Sequence, residues 1–284
     1  MSLVAVLPCL ASNDSYSDER LRITLVSEQQ VLGRGNTGNL GFRFEMQPGW
    51  HIYWINPGDS GEPPKVQWQA PSGVEINPLQ WPVPERINYS SLVDYGYNGS
   101  VLLIAPVKVP STYAGSSLDL SANLKWLVCR EVCVPGKATL QKHIAVADKS
   151  TTDSVVAGLF AESRSKLPKQ APSTWKVSAR SEGEYFVLDV KGANVAKAVY
   201  FPAVDSQIDN AAPQTGGTAA KGSTLRLKKS QYLNGTPRKL EGVLKLPSGE
   251  AFTITAPFSA AGAAQQGKSG SGDKHGTTSK TSHN

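Results

Sequence analysis

Apolar and polar residues alternate along much of the chain, which is the pattern of half-buried β-strands. The alternation is clearest at residues 21–25, 42–46, 118–120, 124–128 and 140–146. Short segments rich in Gly, Pro, Asn and Asp separate these runs and are typical of turns. Short strands at this spacing predict an all-β sandwich rather than alternating strands and helices. We expect the first such domain to occupy residues 18–148.

The pattern changes after this region. Residues 154–162 place apolar side chains at helical spacing, with Ser154 as the candidate N-cap and Pro168 beyond the far end. We therefore expect a linker with one short helix over residues 149–172. Five further strand-like runs predict a second, smaller β-domain over residues 173–259. The segment 260–284 is rich in Gly, Ser, Lys and Thr, and we expect it to be a disordered tail.

Composition narrows the class of protein. A chain of 284 residues with 39% hydrophobic residues suits two domains better than one. The net charge of +6 is spread along the sequence and forms no basic cluster of the kind that nucleic-acid binding uses. No apolar run approaches the roughly 18 residues that a membrane helix requires. We expect no nucleic-acid partner and no membrane-spanning segment in this chain.

The N-terminus carries one of the three cysteines. Cys9 lies in a short apolar stretch, and the small residues Cys9 and Ala11 stand where a signal peptidase would cut. Residues 1–11 therefore resemble an incomplete secretory signal without its positive leading region. The alternative is that residues 1–17 form a disordered N-terminus. Cleavage after Ala11 would leave two cysteines, enough for one intramolecular pair, and favours an oxidising compartment.

The remaining cysteines, Cys129 and Cys133, are four positions apart. In a straight strand that spacing corresponds to about 13 Å, whereas a disulfide tolerates Cα separations only up to roughly 7 Å. A bond between them therefore requires a tight turn or a single helical turn. So short a ring stabilises a domain less than a bridge closing a long loop, which favours redox exchange, although a structural disulfide stays open.

Metal binding by the two cysteines is disfavoured. Structural zinc usually has four ligands, and two of the four histidines lie in the predicted tail. We expect no metal and no cofactor. The flanking Lys125, Arg130 and Lys137 outnumber Glu131 and would favour a thiolate at the pair.

Three motifs around the pair resemble a known family. The segments 49–61 (GWHIYWINPGDSG), 80–86 (QWPVPER) and 126–136 (WLVCREVCVPG) resemble, in order and spacing, the N-terminal periplasmic domain of the DsbD/ScsB thiol-disulfide reductase family. The resemblance covers roughly residues 18–148, and the layout to about residue 258 is similar to the ScsB branch, which has a second β-domain. It implies an all-β fold of two immunoglobulin-like sandwich domains joined by a short helical linker.

The resemblance also implies an activity. It suggests a periplasmic oxidoreductase of the protein-disulfide reductase type, which acts as part of a relay. Such a domain accepts electrons from a membrane-embedded reductase domain and passes them to thioredoxin-like periplasmic proteins by dithiol-disulfide exchange. The family's membrane portion and its thioredoxin-like domain lie outside this sequence, so we expect them in a longer reductase or a separate membrane component. A role in copper tolerance stays open.

Individual roles follow from the resemblance. Cys133 corresponds to the cysteine that forms the mixed disulfide, and Cys129 to the resolving one. His51 and Tyr53 match aromatic positions that flank the pair, and their spacing of two on a strand puts them on one face. The imidazole could accept a thiol proton, or it could be a strand histidine hydrogen-bonded at the sheet surface. Tyr89 lies where the family has a cap loop over the cysteines, with sandwich packing as the alternative.

Two other functions stay open. The first is a non-catalytic two-domain β-sandwich module that binds a protein or copper and has a structural disulfide, which predicts no exchange with a thioredoxin-like partner. The second is a carbohydrate-binding sandwich, suggested only by the aromatic content. Its candidate residues are Trp50, Trp54, Trp68 and Trp81.

Overall fold

The computed structural model describes residues 13–219 and 222–258. Within these residues the chain forms 21 strands and one helix, and the strands make four sheets. Two sheets build a sandwich in the first part of the chain and two build another in the second part. The predicted all-β fold of two immunoglobulin-like domains is therefore confirmed. The predicted tail 260–284 and the signal-like residues 1–11 lie outside the described residues.

The first domain is built from thirteen strands, of which β11 and β12 are the longest. A five-stranded sheet has the order β1-β2-β4-β10-β7, and an eight-stranded sheet has the order β13-β3-β12-β11-β5-β9-β8, with β6 also paired to β11. The bounds are β1 Ser15–Ser17, β2 Leu21–Ser27, β3 Gln29–Gly33, β4 Thr37–Met46, β5 His51–Gly58, β6 Lys65–Gln69, β7 Glu75–Ile76, β8 Glu85–Tyr89, β9 Leu92–Asn98, β10 Ser100–Lys108, β11 Ser117–Cys129, β12 Cys133–Ala147 and β13 Thr151–Thr152.

The core of this domain lies between the two sheets. On β11 every even-numbered residue from Leu118 to Val128 is buried, while the odd-numbered ones up to Leu127 face outward. This is the period of two that the sequence predicted, but the two short runs at 118–120 and 124–128 form one continuous strand. The folded region also begins before the expected boundary of 18, because β1 pairs antiparallel with β2 and the Tyr16 ring contacts Trp126 at 5.0 Å.

The linker helix α1 spans Ser154–Ser165. Its N-cap is Asp153, whose carboxylate accepts hydrogen bonds from the backbone N–H groups of Val155 and Val156. The sequence prediction of Ser154 as the cap was therefore wrong by one residue. An aspartate carboxylate one position earlier satisfies two of the free N–H groups at the helix start, which the shorter serine side chain does not do here.

The linker packs against the first domain rather than running free. Phe160 is fully buried in a small cluster with Leu102 and Ile104 of β10. Ser163 donates a hydrogen bond to the Leu102 carbonyl oxygen at 2.8 Å. The guanidinium of Arg164 donates to both carboxylate oxygens of Glu28, at 2.6 and 3.0 Å. These contacts cover one face of the five-stranded sheet.

The second domain has two four-stranded sheets, with orders β14-β21-β20-β17 and β15-β16-β19-β18. Sequence analysis missed β18, because its Thr-Gly-Gly-Thr-Ala sequence has no alternating apolar residues. The bounds are β14 Lys169–Gln170, β15 Lys176–Glu182, β16 Tyr185–Lys191, β17 Val199–Pro202, β18 Thr215–Ala219, β19 Gly222–Lys228, β20 Lys239–Lys245 and β21 Ala251–Pro257.

The two domains share a buried aromatic contact. The ring of Phe201 on β17 packs edge-on against Trp54 of β5 and Tyr95 of β9, at centroid distances of 6.4 and 5.3 Å. Beside it, the buried Asn56 side chain donates to the Pro202 carbonyl oxygen at 2.8 Å. The second domain is therefore attached to two strands of the eight-stranded sheet.

Asn210 of the second domain adds a polar contact to this interface. Its side-chain amide donates to the Asp59 carboxylate at 2.8 Å and accepts from the Tyr95 hydroxyl at 3.0 Å. Its backbone carbonyl accepts from the Arg86 guanidinium at 2.7 Å. One buried residue thus connects the base of the β8–β9 hairpin to the second domain.

Phe201→Ala should lower the free energy of unfolding by about 3–5 kcal/mol, because it removes a buried aromatic side chain and leaves a cavity between the domains. Urea denaturation followed by tryptophan fluorescence measures the change. Tyr232→Ala is the matched control, since Tyr232 is 75% exposed in the same domain and should change stability by less than about 0.5 kcal/mol. Equal effects of the two variants would contradict the assigned interface.

Candidate functional site

The two cysteines close a tight hairpin between β11 and β12. They are directly opposite each other in the strand register, and the loop between them contains only Arg130, Glu131 and Val132. The Cα atoms are 4.2 Å apart and the sulfur atoms are bonded as a disulfide. The backbone N–H of Arg130 donates to the Val132 carbonyl oxygen at 3.2 Å and tightens the turn. The fold-back that the sequence required is thus a three-residue turn.

The two cysteines differ in their exposure to solvent. Cys129 is 2% exposed and is paired across the sheet with His51 of β5. Cys133 is exposed, and the adjacent Val132 is 65% exposed at the loop tip. A visiting protein can therefore approach Cys133 but not Cys129.

Tyr53 lies beneath the exposed cysteine. Its hydroxyl is 3.5 Å from the Cys133 sulfur and donates to it, because a disulfide sulfur has no proton to give. Burial raises the pKa of Tyr53 to about 12, and the Asp94 carboxylate adds to the shift. The hydroxyl therefore keeps its proton at neutral pH. Gly61, with φ of +84°, lies against the tyrosine ring, and a Cβ there would overlap it.

His51 lies next to Tyr53 on the same face, as their spacing predicts. The two rings meet edge-on at a centroid distance of 5.2 Å. His51 is 5% exposed, and its Nε2 has no hydrogen-bond partner in the described part of the chain. Burial lowers the pKa of this imidazole, so the neutral ring is favoured. This differs from the alternative of a hydrogen-bonded histidine at the sheet surface.

Tyr89 is the last residue of β8 and is 48% exposed. Its hydroxyl donates to the Glu131 carbonyl oxygen at 3.4 Å and so spans the loop between the cysteines. Tyr95 and Tyr97 of β9 are buried instead, and the Tyr97 hydroxyl donates to the Pro82 carbonyl oxygen at 2.7 Å. Of these three tyrosines, Tyr89 alone covers the cysteine loop, and the other two are packing residues.

The structure brings together the five site residues that the sequence suggested, which are Cys129, Cys133, His51, Tyr53 and Tyr89. It also shows further residues that support them. The Arg130 guanidinium lies over the Trp50 ring at 5.2 Å and holds the cysteine loop against the turn between β4 and β5. Ser60 donates from its backbone N–H and its hydroxyl to Asp94, which lies near Tyr53. Sequence reasoning missed these contacts, because Trp50 was considered only as a sugar-binding candidate and Ser60 was noted only as a letter of a motif.

The remaining observations concern a metal site, a membrane span and a sugar-binding surface. Across residues 13–219 and 222–258, no group of three or more His, Cys, Asp or Glu side chains is placed to hold a metal ion. No helix in the same ranges is long and apolar enough to cross a membrane. Trp54 is buried at the domain interface, so it is not an exposed platform for a sugar. The other three tryptophans of that hypothesis are half-buried against the core.

Fold and site together define an immunoglobulin-like two-domain protein with a half-exposed disulfide at the tip of a hairpin. Residues 23–145 match the family described as "Thiol:disulfide interchange protein DsbD, N-terminal". The first domain therefore matches the DsbD N-terminal family, in agreement with the resemblance of its three motifs.

A solved structure extends the likeness to the second domain. The N-terminal periplasmic domain of ScsB from Proteus mirabilis aligns with a TM-score of 0.64 at 14% identity, covering 87% of this chain and 98% of that one. At this identity the likeness concerns the fold. The human desmocollin-1 ectodomain aligns with a TM-score of only 0.18 at 10% identity, over 78% of this chain and 43% of that one. No match was found among curated protein sequences.

The buried His51 should make stability depend on pH. Its folded-state pKa lies below the ordinary value of 6.5, so below that pH the unfolded chain takes up a proton that the folded chain resists. The free energy of unfolding should therefore fall as the pH drops through 6.5, and His51→Gln should remove that part of the decrease. Urea denaturation at a series of pH values measures it, with His143→Gln, at an exposed position of β12, as the control. An unchanged pH slope in His51→Gln would refute the assignment.

Proposed function

We propose that this chain is a periplasmic thiol-disulfide interchange protein, which relays electrons from a membrane reductase component to thioredoxin-like proteins. The observation that carries the proposal is the hairpin disulfide with one exposed and one buried cysteine. The family of the first domain and the likeness to a periplasmic ScsB domain support both the activity and the compartment.

In the proposed exchange, the thiolate of reduced Cys133 attacks one sulfur of the partner's disulfide. A mixed disulfide forms, and the partner's other sulfur leaves as a thiolate. The thiolate of Cys129 then attacks the Cys133 sulfur and displaces the partner's second thiolate. The chain ends as a disulfide and the partner as a dithiol, so two electrons pass to the partner. The membrane component would restore the dithiol.

Exposure and hydrogen bonding support this division of roles. The mixed disulfide must form at a sulfur that a protein can approach, and Cys133 is the exposed one. Cys129 lies directly across the hairpin, close enough to close the ring again. The Tyr53 hydroxyl is placed to donate to a Cys133 thiolate, and the neutral His51 beside it is suited to accept a thiol proton. Tyr89 would shield the pair until a partner displaces it.

We further propose that the expected division into a redox domain (18–148), a linker (149–172) and a second domain (173–259) holds with its edges moved to the observed strands, so that β1 and β13 belong to the redox domain and β14 to the second domain. The second domain contains no cysteine. Its contacts through Phe201 and Asn210 reach β5 and β9, and β5 also carries His51 and Tyr53. These contacts support a role in holding the site and in docking a partner.

Cysteine variants test the relay. With the reduced full-length chain and an oxidised thioredoxin-like protein, Cys133→Ser should abolish electron transfer, because the exposed nucleophile is gone. Cys129→Ser should accumulate the mixed disulfide, because nothing resolves it. Non-reducing gel electrophoresis with mass spectrometry measures both. Transfer by both variants at the parent's rate would refute the proposal.

The burial of Cys129 also favours a second candidate, an inert structural disulfide in a protein-binding module. The reduction potential separates the two functions. Structural disulfides typically lie below about −300 mV, and we expect this couple to lie above that value, because its Cys133 end is open to exchange. Equilibration with glutathione buffers of known ratio, followed by thiol alkylation, gives the potential. A value below that limit would favour the structural candidate.

A further inference from the structure

Three lysines form a row across the sheet on the face that carries the disulfide. Lys125 of β11 is directly opposite Lys137 of β12 on one side and Lys65 of β6 on the other. All three side chains are exposed. They share the outward face with Cys133, because side chains two and four positions apart along a strand point the same way. The row lies four residues from the cysteine pair, or about 13 Å along the strand.

Within the described residues, the positive charge of this row is only partly neutralised by salt bridges. Lys65 pairs with Glu62 at 2.8 Å, whereas Lys125 and Lys137 form no salt bridge within the described residues. Like charges directly opposite each other in a sheet are destabilising, so the arrangement does not serve the stability of the hairpin. Local conflicts of this kind are expected where a surface serves function.

Two apolar residues lie between the lysine row and the disulfide. Leu127 and Pro135 are opposite each other between the two, on the same outward face. Together with Pro63 they line a groove with a volume of about 550 Å³, whose charged rim consists of the three lysines and Glu62. Along the two strands, this face therefore carries the exposed Cys133 sulfur, then the apolar groove and then the positively charged lysine row.

We propose that this face, defined as the lysine row with Leu127 and Pro135, is the docking surface for the redox partner, and that it selects a partner segment with acidic side chains. This inference rests on the proposed function, since it assumes that a protein visits Cys133. An acidic residue about four positions from the partner's reactive cysteine, on an extended segment, would meet the row when the sulfur atoms meet. Opposite charge at that distance favours encounter and fixes the register of docking.

Cysteine peptides of matched sequence test the surface. One peptide has two glutamates about four residues from its cysteine, and the other has glutamines there. Each is supplied as a mixed disulfide with thionitrobenzoate. Cys133 of the reduced full-length chain attacks the peptide sulfur and releases the coloured thionitrobenzoate, and Cys129 then releases the peptide thiol. The absorbance of the released thiolate gives the second-order rate constant.

We expect the glutamate peptide to react on the order of tenfold faster at low ionic strength, and the preference to vanish in high salt. The double variant Lys125→Gln/Lys137→Gln should lose the preference, so that its rate constants with the two peptides become equal. The matched control is Lys176→Gln/Lys191→Gln, which removes another directly opposed pair of exposed lysines from the second domain, remote in sequence from the disulfide. It should keep the preference.

Two different failures can be told apart. Equal rates for the two peptides, or a preference that survives Lys125→Gln/Lys137→Gln, would overturn the docking surface and leave the relay standing. A reduced chain that reacts with neither peptide would refute the proposed function and the docking surface together.

Discussion

The site depends on the register of one strand pair. Because β11 and β12 pair without a slip from Ser117 to Cys129, the two cysteines meet across a three-residue turn. A shift by one residue would place the sulfurs on opposite faces of the sheet and separate them. The long ladder of buried side chains on β11 sets this register, so the core of the first domain places the disulfide.

The same strands connect the site to the rest of the molecule. His51, Tyr53 and Trp54 follow one another on β5, with the first two beside the cysteines and Trp54 against Phe201 of the second domain. Tyr95 of β9 contacts both Phe201 and Asn210. The hairpin that begins in β8 carries Tyr89 over the cysteine loop. The second domain is thus packed against the strands that line the site, which a flexible spacer would not require.

Much of the fold could be predicted from the chain alone, because an amphipathic strand carries its period of two in the sequence. The two β-domains and the linker helix were found in this way. The missed features have local causes: β18 has no apolar alternation, Asp153 rather than Ser154 caps the helix, and β1 lies in the N-terminal segment 1–17, for which no strand was expected. For the site, the sequence pointed to the cysteines through their spacing and to His51, Tyr53 and Tyr89 through the family resemblance, but it pointed to none of the contacts that support them.

The sequence by itself determined that a bond between the two cysteines needed a tight turn, because chain geometry limits how two residues four apart can meet. Only the tertiary structure decided that Cys133 is exposed and Cys129 is buried, and that Lys65 joins Lys125 and Lys137 in one row. Exposure and cross-strand neighbours depend on segments far apart in the chain. No local pattern of residues can record them.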